Sequence, residues 1–356
     1  CNEAYSLFNH VTRPSSFSFV SSLIRPFVVT TTTMLESDTS STGSAGAPEG
    51  FRVIKNRQFM ASGNTKYILP CDVEEINRLD YQHYMVRFLL RSNFNSPVEE
   101  GLRSGITVLD AGCGSGRWLL DMAQDFPNST FLGVEVADVF PTSNLPPNLT
   151  FHKANMLEGL PFPDEHFDFV FQRFMFLAFS PSDWIKSIKE LVRVTKPGGW
   201  LELIEGTLNF KVAPSGYERI YNARSTSSWF LPTHLVCITT LSRGIDAEYA
   251  LKVGHLLEEE GITQVVADYV SCPIGWKGIP GELLLKNVGY LLDALKPTIL
   301  PTMDMGDEEY AELTEKLLHN FGRYNSYANA PYAYGMKPLN KTLDARPEAE
   351  LGSSEN

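Results

Sequence analysis

The chain has 356 residues, 43% of them hydrophobic and 20% charged, with a formal net charge of −12. That balance describes a globular protein with a large core. It excludes general affinity for nucleic acid, because no cluster of Lys and Arg offsets the acidic field. The five cysteines (Cys1, Cys71, Cys113, Cys237 and Cys272) are odd in number and include no CxxC pair. A disulfide framework and a metal site are therefore not expected, and a reducing compartment, cytoplasm or nucleus, is.

Residues 1–33 are rich in Ser and Thr, with Arg13 and Arg25 against the single acid Glu3. This composition has the character of a mitochondrial leader, with Met34 as the alternative start. Its apolar part, "FSFVSSLIRPFVV", is broken by Arg25 and Pro26, so no membrane span is expected. Residues up to 50 are expected to be a disordered tail, and 51–105 a helical cap. Within the cap, Asp72 and Glu75 have capping-box spacing ahead of a helix that runs to Leu90. Residues 93–105 are expected to be a loop.

From Ile106 the pattern alternates. "ITVLDA", "STFLGVEV", "NLTFHKA", "HFDFVFQRF" and "WLELIEG" are strands, with helices at 117–125 and over "PSDWIKSIKELVRVTK", the latter stopped by Pro197-Gly198-Gly199. Short links between strand and helix predict a mainly parallel sheet with helices on both faces. A helix is expected over 247–261, a sixth strand over "ITQVVADYV", helices at 281–296 and 307–321, and a last strand in "YANAPYAYGMKPL". The α/β domain thus spans 106–338, with insertions near 207–245 and 271–328, and a polar tail at 339–356.

The glycines of "VLDAGCGSGRW" are Gly112, Gly114 and Gly116. Their spacing is GxGxG, and Arg117 stands where the dinucleotide fingerprint has its third glycine. Asp110, two residues before the turn, repels a pyrophosphate and attracts an amine. Glu135 closes the second strand 19 residues after Gly116, the place of an acid that accepts from ribose hydroxyls.

"VLDAGCGSG", "FLGVEV", "KANMLEGLPFPDEHFDFV" and "RVTKPGGWLELIE", in this order, resemble the class I S-adenosylmethionine-dependent methyltransferases. "YILPCDVEEINRLDYQHYMVRFLL" and "FQRF" are similar to fungal methyltransferase-domain proteins, a group that includes regulators of secondary metabolism. The resemblance implies a Rossmann-like fold with a seven-stranded sheet and S-adenosylmethionine as cofactor. It assigns Asp110, Gly112, Cys113, Gly114 and Gly116 to the methionine loop, Glu135 to the ribose, Asn155 and Met156 to the adenine, and Gln172 to the cofactor. Arg173 falls where the acceptor meets the cofactor.

Gln82 and His83, on the first helix, either cover the cofactor or pack. His83, His234 and Tyr217 are candidate bases, none of them assigned. Trp229, Phe230 and Trp276 either line an acceptor pocket or form lid core. The function implied is methyl transfer to a small-molecule acceptor. The alternative is a cofactor-binding regulator with a protein partner and little turnover.

Overall fold

A computed structural model describes residues 50–212, 235–302 and 305–339. The readings made for residues 1–49, Tyr217, Trp229, Phe230, His234 and the tail beyond Leu339 lie outside the described residues. The first elements are a hairpin, β1 (Phe51–Ile54) with β2 (Arg57–Met60), turned by Lys55 and Asn56 at positive φ. Helix α1 (Val73–Leu90) follows. Its N-cap is Asp72, whose carboxylate accepts from Glu75 N and also holds Arg57 in a two-pronged pair.

The expected loop at 93–105 instead contains a short helix, α2 (Glu99–Ser104). Strand β3 (Thr107–Ala111) leads through the glycine turn into α3 (Arg117–Asp125), and β4 (Thr130–Glu135) and β5 (Leu149–Lys153) complete one wing of the sheet. On the other wing are β6 (Phe167–Arg173), α4 (Pro181–Val194) and β7 (Thr195–Ile204). Pro197-Gly198-Gly199 therefore does not stop α4. The helix ends two residues earlier, and the turn-forming triplet lies within the start of β7.

The remaining elements are β8 (Phe210–Lys211), α5 (Leu235–Ser242), α6 (Val253–Glu259), β9 (Thr263–Pro273), α7 (Ile279–Ile299), α8 (Asp307–Arg323) and β10 (Tyr327–Met336). The helix expected at 247–261 is split into a 3-10 turn, Tyr249–Lys252, and α6.

The sheet runs β5-β4-β3-β6-β7-β10, with β9 and β8 both pairing with β10. Pairings from β5 to β7 are parallel and those of β10 antiparallel. Among the described residues it has eight strands rather than seven, the extra one being the two-residue β8 against Tyr327 and Ala328. Alternation along each strand separates the two cores. Val108, Phe169 and Phe171 pack with Trp118 of α3, and the Trp118 and Phe171 rings stack at 4.0 Å. Leu109, Val170 and Leu203 pack with Trp184, Ile188 and Leu191 of α4. This is a Rossmann-like α/β fold. Ligands of such sheets bind where parallel strands end at their carboxyl edge and the order reverses, which here is the end of β3 between β4 and β6.

Candidate functional site

The turn after β3 is shaped by backbone demands. Gly112, Gly114 and Gly116 all have positive φ, the left-handed region that favours glycine. A Cβ on Gly112 would lie 2.9 Å from Met175 Sδ, and one on Gly116 2.4 Å from Phe151 Cζ. Val134 O accepts from both Gly112 N (2.8 Å) and Cys113 N (3.0 Å), tying the turn to β4.

Glu135 closes the turn. Its Oε2 accepts from Gly114 N at 2.9 Å, and its Oε1 accepts from Val136 N and Ala137 N at 2.8 and 3.3 Å. A cleft opens above the turn. Its floor is Gly112–Ser115, its side walls are Glu135–Ala137 and Arg173–Met175, and its roof is Glu75, Ile76, Leu79 and Gln82 of α1. A second hollow adjoins it across Met60, Val136 and Ala137.

Asp110 ends β3 beneath the turn, 2% exposed, and its Oδ1 has no hydrogen-bond partner among the described residues. Burial pushes its carboxyl up to about 7, the nearby Arg173 cation pulling the other way and Glu135 adding to the rise. Arg173, two residues past Phe171 on the same face of β6, reaches His83 of α1, with Nη2 donating to Nδ1 at 3.1 Å. With Nδ1 accepting, the ring proton is on Nε2, which donates to Asp121 Oδ2 of α3 at 3.0 Å. Burial pulls the His83 pKa down to about 4 against the Asp121 hydrogen bond. His83 is thus a neutral, 1% exposed strut that does not line the cleft. It aims Arg173 and has no access to a reacting atom.

The structure brings Gly112, Cys113, Gly114, Glu135 and Arg173 to the cleft wall. Cys113 is buried, and burial pushes its thiol far above the ordinary value, so it is no nucleophile at neutral pH. Gln172 is a correction. It shares the face of Val170, is fully buried, accepts from Ser187 Oγ of α4 at 2.9 Å, and does not line the cleft.

Asn155 and Met156 do not line the main cleft either. Asn155 borders the adjoining hollow, where its Oδ1 caps the turn at Leu157 N and its Nδ2 donates to Glu158. Met156 is buried near Gly112, with its sulfur 3.4 Å from Ser187 Oγ. Trp276 donates to Ser326 O and lines neither cavity. Among the described residues no group of His, Cys, Asp and Glu is arranged for a metal, and no helix is long and apolar enough to cross a membrane.

A parallel sheet with a glycine turn and an acid at the end of its neighbouring strand defines a nucleotide-type cofactor site. The comparisons specify the class. Residues 108–199 match the family model for a methyltransferase domain. Methyltransferase str3 of Strobilurus tenacellus is 34% identical over 214 residues, spanning 60% of this chain and 72% of that protein. N-methyltransferase sirN of Leptosphaeria maculans is 25% identical over 220 residues, spanning 62% and 74%. Among solved structures, phosphoethanolamine N-methyltransferase 2 of Haemonchus contortus in complex with S-adenosyl-L-methionine aligns with a TM-score of 0.41 at 16% identity, over 73% of this chain and 57% of that one. The chain belongs to the class I S-adenosylmethionine-dependent methyltransferases. Its cofactor is S-adenosylmethionine, and the residues fit it. A Cβ on Gly112 or Gly114 would meet Met175 or Leu79 of the cleft wall, and Asp110 offers a buried, unpartnered carboxylate oxygen of the right charge for an amino-acid amine.

Proposed function

We propose that the protein methylates a small molecule, with the cofactor held by Asp110, Gly112, Cys113, Gly114, Gly116 and Glu135. Asn155, on the adjoining hollow, is assigned to its adenine end with the buried Met156 next to it in the chain, and Arg173 to the place where cofactor and acceptor meet. The observation that carries this reading is the join between the cofactor cleft and a second, apolar chamber, which share Gln82 and Phe174 in their walls.

When bound, the cofactor supplies a methyl group on a sulfonium, already activated by its charge. The residues of the chain then need only align the acceptor and exclude water. The glycine turn lets the cofactor approach the backbone closely, Glu135 presents a carboxylate toward a diol, and Asp110 balances an ammonium. Arg173, fixed by His83, opposes the rise that burial imposes on the Asp110 carboxyl and offers a donor to a carboxylate. A chamber walled by helix and sheet suits a small acceptor better than a folded protein surface. Joined cavities also favour turnover over a cofactor-binding regulator with little activity.

The test is transfer from methyl-labelled S-adenosylmethionine into an extract of the organism that encodes the protein. Label in the small-molecule fraction, lost with Asp110→Ala, is expected. Label confined to protein would overturn the small-molecule reading.

A further inference from the structure

The second chamber lies beyond the carboxyl ends of β6 and β7, between α1, α7 and the β9–β10 pair. Its wall is almost wholly aliphatic and aromatic, with Met85, Leu89, Phe176, Leu284, Val288 and Leu291 among its residues. No Asp, Glu, Lys, Arg or His side chain lines it among the described residues. The one titratable lining group among the described residues is Cys272, whose thiol donates to Val270 O and is pushed by burial up to about 12.

Two side-chain amides stand in this apolar wall. Gln82 is at the join with the cofactor cleft, and its amide has no hydrogen-bond partner among the described residues. Asn287 is 5% exposed, and its Oδ1 is taken by Arg78 at 3.4 Å, which leaves Nδ2 as the group free to donate. Phe174, also at the join, has φ of 59°. A bulky side chain in that conformation is strained and persists only where surrounding structure holds it.

Resting on the cofactor reading above, we infer that this chamber is the methyl-acceptor site, that it takes an uncharged, largely apolar small molecule, and that Gln82 hydrogen-bonds the acceptor group at the join. A charged body is disfavoured because the described wall offers no counter-charge and burial strips the ion of water. A mostly apolar lining with a few placed polar groups is the usual build of a small-molecule site.

Among the described residues the wall also carries no base, and in this proposal the acceptor atom attacks with a lone pair it already holds. Its new bond to the methyl carbon forms as the carbon–sulfur bond breaks. The bonding pair stays on sulfur, which becomes a neutral thioether, and any proton on the methylated atom leaves to water.

The experiment uses the full chain saturated with S-adenosylhomocysteine and four aromatic probes followed by saturation-transfer NMR. The probes are indole, uncharged with one N–H; naphthalene, with no polar group; tryptamine, a cation; and indole-3-acetate, an anion. Indole and naphthalene are expected to bind at least tenfold more tightly than either ion. Ala330→Phe fills the chamber and Leu291→Lys places a charge in it, so each is expected to weaken both uncharged probes at least fivefold. Both substitutions are expected to leave S-adenosylhomocysteine affinity within twofold of wild type by calorimetry. Gln82→Leu is expected to weaken indole but not naphthalene.

Equal or tighter binding of either ion, or uncharged-probe binding unchanged in a folded Ala330→Phe or Leu291→Lys variant, overturns the assignment of the chamber. Equal loss of indole and naphthalene in Gln82→Leu overturns the hydrogen-bonding role. Failure of the wild-type chain to bind S-adenosylhomocysteine overturns the cofactor reading instead.

Discussion

The Glu205 carboxylate brackets Phe174. It accepts from Met175 N at 3.1 Å and Phe176 N at 3.0 Å, while Phe174 N donates to Ile204 O at 3.0 Å. A fully buried acid thus fixes the left-handed turn that puts Phe174 between the cofactor cleft and the apolar chamber. Glu205→Ala leaves the buried Phe176 N–H and the part-buried Met175 N–H without acceptors, at up to about 1–3 kcal/mol each. Denaturant unfolding is expected to show a loss of that order, and a loss below 1 kcal/mol would mean that the turn holds itself.

Burial pushes the Glu205 carboxyl up to about 8, against the backbone N–H groups that favour its ionised form. The sign follows from the raised value. The folded chain keeps a proton that the unfolded chain releases near 4.5, so this stabilising contribution is full below 4.5 and lost as pH rises through 8. Asp110, raised to about 7, acts in the same direction. Glu205→Gln is expected to flatten the fall in melting temperature between pH 5 and 8. An identical slope in wild type and variant would place the titration elsewhere.

His83 works in the opposite direction. Its pKa is depressed to about 4, so its contribution is full above the ordinary 6.5 and lost as pH falls through 4, on the order of 3 kcal/mol in all. The two windows overlap between 4.5 and 6.5, and single variants separate them. His83→Gln can still donate to Asp121 and accept from Arg173. It is expected to keep stability at pH 7 within about 1 kcal/mol and to lose most of the acid dependence between pH 6.5 and 4. Titration of the His83 ring by NMR near 6.5 would contradict the strut.

Gly116 and Phe151 form a testable pair. A methyl on Gly116 meets the Phe151 ring, itself stacked on Phe140 at 5.1 Å, and the φ of 71° adds about 1–2 kcal/mol of backbone strain. Gly116→Ala is expected to destabilise by more than about 2 kcal/mol. Adding Phe151→Leu should recover the steric part and leave the backbone part. Strict additivity of the two changes would show that they do not touch.

The cofactor loop was legible in the sequence because its chemistry is local: three glycines, Asp110 and Glu135 are fixed by a strand, a turn and the next strand end. The direction of Gln172 was not read, although the two-residue alternation with Val170 carried the signal. Helix α2 was missed because its six residues are interrupted by Gly101 and lack a side-chain cap. The contact of His83 with Arg173 joins residues 90 apart, and the chamber is assembled from Leu89, Phe176, Val270, Leu284 and Ala330. Each of these reads alone as ordinary core, and only tertiary packing shows that they leave a space.

Binding of S-adenosylmethionine, measured by calorimetry from pH 5.5 to 7.5 on the wild-type chain and on Asp110→Ala and Gly114→Val, tests the central claim most directly. An ionised Asp110 facing the cofactor's ammonium requires proton release below about 7, so wild-type affinity is predicted to rise with pH across this range. Both variants are predicted to bind about a hundredfold more weakly, a loss of roughly 2.7 kcal/mol, while keeping a cooperative melt. Asp110→Ala is also predicted to lose the pH dependence. Wild-type affinity in both folded variants would contradict the assignment of this loop to the cofactor.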